Sequence, residues 1–310
     1  MKQIFLAFHD RMYAIFSQFW RLYTFKTVHH FVIAISIVVI SSCTEVIHID
    51  LNASDPQVVV EAHLAETGRV EVKLRRSVNF EADNDFPAVE GALVYLEDEF
   101  GNSIQLNEVN PGFYVSSLLQ ATTGTTYRLV IYTDDKVITA EDRMPVAVRM
   151  DSLTIRPFRF PLEGIGDRPD SVNLLEAVVW YTDPIQEKNQ YRVLEFRNDT
   201  LQSISITDDQ FNNGKAISLS LLNFRKPLRP GDKLSVEFQS ISRPVYEYLF
   251  GFSGVNGGPL ASSPSNPVTN LSGTRLGYFS AHTVHRLSLT VFGGVSFVSS
   301  SSHLPQLKLK

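Results

Sequence analysis

Two histidines three residues apart, His282 and His285, come closest in this sequence to a metal-binding pair. Side chains at that spacing share a face on a helix, but on a strand they point to opposite sides. The surrounding region is predicted to be strand or loop, and the remaining residues of an HExxH zinc motif are missing. The sequence therefore predicts no metal site here. His48 and His63 stand alone, and we interpret them as surface or hydrogen-bonded side chains.

A serine nucleophile is the next chemistry to consider. The stretch 251–254 (GFSG) is only superficially similar to the G-x-S-x-G turn that exposes a catalytic serine. Neither a G-x-G-x-x-G loop nor a P-loop lysine occurs, so no motif cradles a nucleotide phosphate. The sequence predicts a protein that is not an enzyme, with no catalytic residue and no cofactor.

Oxygen-rich side chains cluster at Glu81, Asp83, Asn84 and Asp85, and loops of this composition can hold Ca²⁺. The spacing lacks the glycine and the terminal glutamate of an EF-hand. We interpret this cluster as a solvated hairpin tip, and the acidic and amide residues of 208–212 as a turn.

The chemistry that the sequence does support is acylation of its single cysteine, Cys43. The ten residues 31–40 (FVIAISIVVI) are apolar and uncharged, which is too short for a transmembrane helix and typical of a signal-peptide core. Two small residues, Ser41 and Ser42, separate this run from the cysteine, as in the lipobox of bacterial lipoproteins. We predict cleavage before Cys43, with lipid attached there through acyl chains such as palmitate; translation starts at Met1 or Met12.

Charge argues against nucleic acid as a partner. Removal of residues 1–42 leaves 24 Lys and Arg against 32 Asp and Glu, a net charge of −8. Binding to phosphates requires clustered basic side chains, and the sequence has no such stripe. With one cysteine, an intramolecular disulfide framework is also excluded.

Beyond Cys43 the hydrophobic pattern has a period of two, which indicates strands with one buried face. Turn signals such as 98–101 and 110–112 separate the runs. Seven short strands suggest an antiparallel sandwich of immunoglobulin size, although the Cys…Trp…Cys spacing is absent and the topology stays open. The predicted strands are 57–64, 70–76, 92–97, 103–108, 112–116, 126–132 and 136–142.

A second group of strands follows Met144-Pro145, and one segment interrupts it. Ser242 is a suitable N-cap, Pro244 lies in the first turn, and apolar residues recur at helical spacing, so we predict one helix near 242–253. The strands of this group are predicted at 151–155, 174–181, 191–197, 201–206, 216–222, 233–240 and 285–292.

The predicted fold is therefore all-β, with two antiparallel sandwich-like domains and one short helix. The division is a lipoprotein signal peptide at 1–42, an N-terminal sandwich at 43–148, a C-terminal β-rich domain at 149–297 and a tail at 298–310.

Nine segments beyond the cysteine form a recognisable series. They are 56–61 (PQVVVE), 89–96, 112–114, 124–129, 180–184 (WYTDP), 189–192 (NQYR), 208–214, 266–273 (NPVTNLSG) and 276–281 (LGYFSA). In their order and spacing, more than in any one of them, they resemble the Bacteroidetes family known as domain of unknown function 4249, and the resemblance covers roughly residues 43–295. Thr274 and Arg275 stand where the family tends to glycine.

The resemblance implies an outer-membrane lipoprotein that works beside a TonB-dependent receptor, and it transfers no catalytic residue. We expect a binding or accessory module held in the membrane by its lipid, with an unidentified ligand, in the outer membrane on either the periplasmic or the cell-surface side. The alternative is a structural or adhesive surface lipoprotein. The candidate contact surface is 255–281, which is rich in Pro, Ser and Asn and ends in aromatic residues.

Overall fold

The computed structural model describes residues 55–79, 85–117, 120–133, 135–161, 171–224, 226–255, 267–293 and 296–299. The signal peptide, Cys43 and residues 300–310 lie outside these ranges. Seven strands occupy the first half, each within a few residues of its predicted position. They are β1 (Val58–Ala65), β2 (Val70–Arg76), β3 (Leu93–Asp98), β4 (Ser103–Asn110), β5 (Phe113–Ser116), β6 (Thr126–Tyr132) and β7 (Val137–Arg143).

The second half of the described chain contains nine further strands and the predicted helix. These strands are β8 (Met150–Pro161), β9 (Ser171–Thr182), β10 (Gln190–Arg197), β11 (Thr200–Asp208), β12 (Ala216–Leu221), β13 (Lys233–Ile241), β14 (Leu271–Ser272), β15 (Leu276–Thr290) and β16 (Ser296–Ser299). The helix, α1, spans Arg243–Val255, and the Ser242 carbonyl accepts the amide of Tyr246 at 3.0 Å. The all-β prediction with one short helix is confirmed.

Across the described residues, the strands form one twelve-stranded and one four-stranded sheet. The larger runs β11-β10-β13-β15-β1-β2-β5-β4-β3-β6-β7-β14, and the smaller runs β12-β9-β8-β16. Strand β4 connects the two layers around the first core. Its first half pairs with Val94–Glu97 of β3, and its second half pairs with Phe113–Val115 of β5. The smaller sheet packs against β10, β13 and β15 over a second core.

Strand β15 belongs to both sandwiches. Residues 276–282 pair with β1, and 283–290 pair antiparallel with β13. The pairing with β1 is parallel, so the sheets are not purely antiparallel. The prediction placed this strand at 285–292, and its first nine residues were missed. As a result Phe279 and Ala281 lie in the first core together with residues from 58 to 144, whereas Leu287 lies in the second.

The contact between β15 and β1 depends on a glycine. Gly277 has a φ of +110°, and a Cβ built on it would lie 1.7 Å from the Val60 carbonyl oxygen. No side chain fits there, so glycine is required both for the backbone conformation and for the close approach. Side chains flanking this contact strengthen it: the Thr274 hydroxyl donates to the Val58 carbonyl at 2.6 Å, and Asn270 bonds both the amide and the carbonyl of Phe279.

A buried carboxyl group joins β7 to β15. Asp142 is 4 % exposed and accepts the Ala281 amide at 2.7 Å, with a further hydrogen bond to the Ser242 side chain. Burial raises the pKa of Asp142 to about 7, because removal from water penalises the charged form more than these hydrogen bonds favour it.

We expect Gly277→Ala to destabilise the protein by at least about 3 kcal/mol, because the new methyl group must displace β1 in addition to straining φ. Gly101→Ala is the matched control: its φ is +90°, but nothing lies within 4 Å of a Cβ at that position. Only backbone strain of about 1 kcal/mol should appear there. Denaturant unfolding of both variants measures the difference, and equal losses would contradict the close-contact explanation.

Asp142 predicts a pH-dependent stability that Asp142→Asn removes. Because the folded pKa is raised from 3.8 to about 7, the folded state holds this proton more tightly. Its contribution is fully present below pH 3.8 and is lost as the pH rises to about 7. Relative to the Asn variant, the wild type should therefore lose roughly 2 to 3 kcal/mol between pH 5 and pH 8. Unfolding free energies at both pH values test this, and a pH-independent difference would refute it.

Candidate functional site

The densest group of polar side chains lies on the outer face of the large sheet, where β10, β13, β15 and β1 adjoin. Side chains alternate along β15, so Phe279 and Ala281 enter the first core while Tyr278, Ser280 and His282 face the other way. Helix α1 packs over this face, with Val245, Tyr246, Tyr248 and Leu249 forming a small cluster with Tyr278. We define the outer-face cluster as Glu61, His63, Arg192, Gln239, Tyr278 and His282.

Glu61, His63 and His282 form the end of this cluster at β1. The hydrogen bond from His63 Nε2 to Glu61 Oε1, at 3.5 Å, lowers the pKa of Glu61 to about 2. His63 meets His282 edge to face, with ring centroids 5.9 Å apart. Burial, with His63 and Arg192 nearby, lowers the pKa of His282 to about 3, so this imidazole is neutral at physiological pH.

Arg192 and Gln239 are direct neighbours across β10 and β13. Arg192 Nη1 lies 3.4 Å from the Tyr278 hydroxyl, and burial raises the pKa of Tyr278 to about 12. Gln239 Nε2 donates to Glu237 at 2.7 Å. Within the described residues, Arg192 Nε and Gln239 Oε1 are buried without a partner. This donor and this acceptor, on directly opposed residues, are therefore left for a polar group to satisfy.

The two histidines of the HxxH pattern separate as the strand period predicts. His282 belongs to the outer-face cluster, whereas His285 lies opposite Phe238 of the second core and accepts the Met150 amide at 3.1 Å. The part of the chain that the structure describes contains no group of three or more His, Cys, Asp or Glu side chains arranged to hold a metal ion. Its helices include none long and apolar enough to cross a membrane.

A second polar node joins the turns at one end of the second sandwich. Asp183, 2 % exposed, accepts the Tyr191 hydroxyl and the Gly214 amide, the latter at 3.0 Å. Asp209 accepts the Asn189 amide at 2.8 Å. These contacts bring together three segments that carry the family resemblance, 180–184, 189–192 and 208–214. The carboxylates are used to hold loops, which is a structural role.

The predicted contact surface 255–281 is wrong in its second half. Residues 271–272 and 276–281 are strands, and Leu271, Phe279 and Ala281 are buried in the first core. Thr269 and Asn270 bond backbone groups of β15, because this segment closes the open side of the first sandwich. Residues 256–266 lie outside the described chain.

The other predicted positions divide between described and undescribed parts. Cys43 and three members of the oxygen-rich loop, Glu81, Asp83 and Asn84, lie outside the described residues, while Asp85 is exposed. Aromatic residues of the C-terminal half divide as well: Phe279 is core, whereas Phe250 and Phe252 on α1 are exposed.

The outer-face cluster itself was missed in the sequence. Its members come from four strands, β1, β10, β13 and β15, that are distant along the chain, so no spacing pattern could join them. One signal was available: Glu61 and His63 alternate with the buried Val60 and Ala62, which places both on one outer face.

Two solved structures are similar to part of this chain. A two-domain fibronectin type-III segment of chicken tenascin is 18% identical, covering 62% of this chain and 89% of that one, with a TM-score of 0.18. The chicken CNTN1 FN1–FN3 domains are 11% identical, covering 60% of each chain, with a TM-score of 0.21. No curated protein matches the sequence.

One family model accounts for most of the chain. The domain of unknown function DUF4249 matches residues 44–288, from just after the cysteine to the second half of β15. The match includes both sandwiches, the helix and all the joints described above, so this protein belongs to the DUF4249 family.

Proposed function

We propose that the protein is a membrane-anchored, non-enzymatic lipoprotein that acts as a binding or accessory module beside a TonB-dependent outer-membrane receptor. The observation that carries the proposal is Cys43, preceded by an apolar run and two serines and followed by two β-sandwiches. An acylated cysteine with three chains gives durable attachment, because a single chain binds membranes only marginally.

The length of the tether supports a role close to the membrane. Fourteen residues lie between Cys43 and Val58, the first residue of β1. Even fully extended, they span at most about 50 Å, so the anchor keeps the start of β1 near the lipid surface. Strand β1, which follows this segment, lies inside the large sheet, between β2 and β15. We therefore expect its partner to be a membrane protein or a ligand that reaches the membrane surface.

The use of polar side chains supports binding over catalysis. Asp183 and Asp209 hold turns, Asp142 joins two strands, and His285 accepts a backbone amide. A catalytic site needs a nucleophile or base placed against a free cleft, and these groups are committed to backbone partners. The outer-face cluster does bring a serine next to a histidine, Ser280 Oγ to His282 Nδ1 at 3.1 Å, but both side chains are buried, so this hydroxyl faces no open cleft. Arg192 and Gln239 offer hydrogen bonds to a polar group.

Cys43→Ala should abolish lipid attachment, because the thiol is the acceptor. We expect radiolabelled palmitate to be absent from this variant, with the protein either unprocessed or released from the membrane fraction. Ser42→Ala keeps a small residue before the cut and should be processed and labelled as the wild type is. Palmitate incorporation into Cys43→Ala at the wild-type level would refute the anchor.

Association with a receptor should be visible by purification of the wild-type protein from native membranes in mild detergent. We expect a TonB-dependent barrel to co-purify in a fixed ratio, and to be lost with Cys43→Ala, which removes the protein from the membrane. Recovery of the lipoprotein alone, with transport unimpaired in a deletion strain, would favour the structural or adhesive alternative.

A further inference from the structure

Strand β11 is a long, open edge of the large sheet. It spans Thr200–Asp208 and pairs with β10 on one side, and no described strand pairs with its other side. Its sequence, TLQSISITD, has no charge before Asp208 and no proline. Natural sheet edges are usually protected by charges, prolines or short strands, because unpaired backbone groups recruit other strands. An unprotected edge of this length is therefore a site for strand addition.

The remaining strand edges among the described residues are shorter. At the far end of the same sheet, β14 has two residues and is fixed by Asn270, whose side chain bonds both Glu141 and Phe279. In the smaller sheet, β16 has four residues and β12 has six. Strand β12 follows β11 after seven residues, and Asp183 and Asp209 hold the turns between them. The edge at β11 and the edge at β12 therefore border the same side of the second sandwich.

We propose that β11 pairs antiparallel with β11 of a second copy of this chain, about a two-fold axis at Ser205. The inference is independent of the lipid anchor and of the receptor. A two-fold axis at residue 205 places residue 204 opposite 206 of the other copy, and 203 opposite 207. Directly opposed residues in an antiparallel pair share a face, so each face must be complementary to itself.

Both faces meet that requirement. On the outer face, Ile204 of each copy lies opposite Ile206 of the other. Ile204 is 45 % exposed, and Ile206 is half-buried against the cluster beneath α1. On the inner face, Ser205 meets its own copy and Ser203 meets Thr207, which are small hydroxyl side chains that pair well across strands. No like charges oppose each other in this register. A strand from an unrelated protein would not need such self-complementarity, so a second copy is the occupant that the sequence of this edge fits best.

Cysteine cross-linking tests the register in the full-length protein in its native membranes. Ser205→Cys places two thiols about 5 Å apart across the axis, and we expect an oxidised dimer on a non-reducing gel. Thr207→Cys is the matched control within the same strand: its two copies lie roughly 14 Å apart and should stay reduced. The wild type, whose single cysteine is Cys43, gives the background.

A second measurement does not depend on introduced thiols. The wild-type protein in mild detergent should have the mass of two chains by light scattering, and Ile204→Lys should weaken the dimer at least about tenfold, since it buries a charge against Ile206. Val109→Lys, on an equally exposed strand residue of the first sandwich, should have no effect.

Three results would overturn the proposal: a single-chain mass for the wild type, a dimer that Ile204→Lys leaves intact, or cross-linking at Thr207→Cys without cross-linking at Ser205→Cys. Cross-linking of Ser205→Cys to a different protein would identify another strand donor and overturn it as well.

Discussion

The parallel pairing of β1 with the first half of β15 is the contact on which the architecture depends. It joins residues 59–65 to residues 276–282 across more than two hundred positions of the chain. Gly277 makes it possible by letting two backbones approach where no side chain fits. Since the second half of β15 continues into the other sandwich by pairing with β13, one strand fixes both cores. Closing a loop this long in the unfolded chain costs more conformational entropy than closing a hairpin, and the two cores on either side of β15 offset that cost.

Most strands could be predicted because each has one buried and one solvated face. Val70–Arg76, for example, alternates buried and accessible side chains along its length, and its limits were predicted correctly. The first half of β15 escaped prediction for the opposite reason. Residues 277–283 are all buried, between the first core on one side and the cluster beneath α1 on the other. A strand buried on both faces has no period of two, and its serine, histidine and glycine residues resemble those of a loop.

The outer-face cluster escaped prediction because tertiary structure assembles it. Arg192 and Tyr278 are separated by 86 residues, and only the strand order β10-β13-β15-β1 brings them to one surface. The pKa shifts of Tyr278 and His282 also arise from burial, which no local sequence motif encodes. His282 illustrates this: burial, together with the nearby His63 and Arg192, lowers its pKa. The HxxH pattern drew attention to this histidine as a possible metal ligand, and the structure instead packs it among the side chains of the outer-face cluster.

The segments that carry the family resemblance coincide with joints of the fold. Those at 180–184, 189–192 and 208–214 meet at Asp183 and Asp209, and those at 266–273 and 276–281 close the first sandwich. Their recognisable residues are glycines in close contacts and side chains that satisfy backbone groups, which are requirements of architecture. The family signature therefore describes how the chain folds more than what it contacts. Arg192 ends segment 189–192 and also contacts Tyr278 in the outer-face cluster. The β11 edge before Asp208 lies outside all of these segments, so none of these joints fixes its sequence.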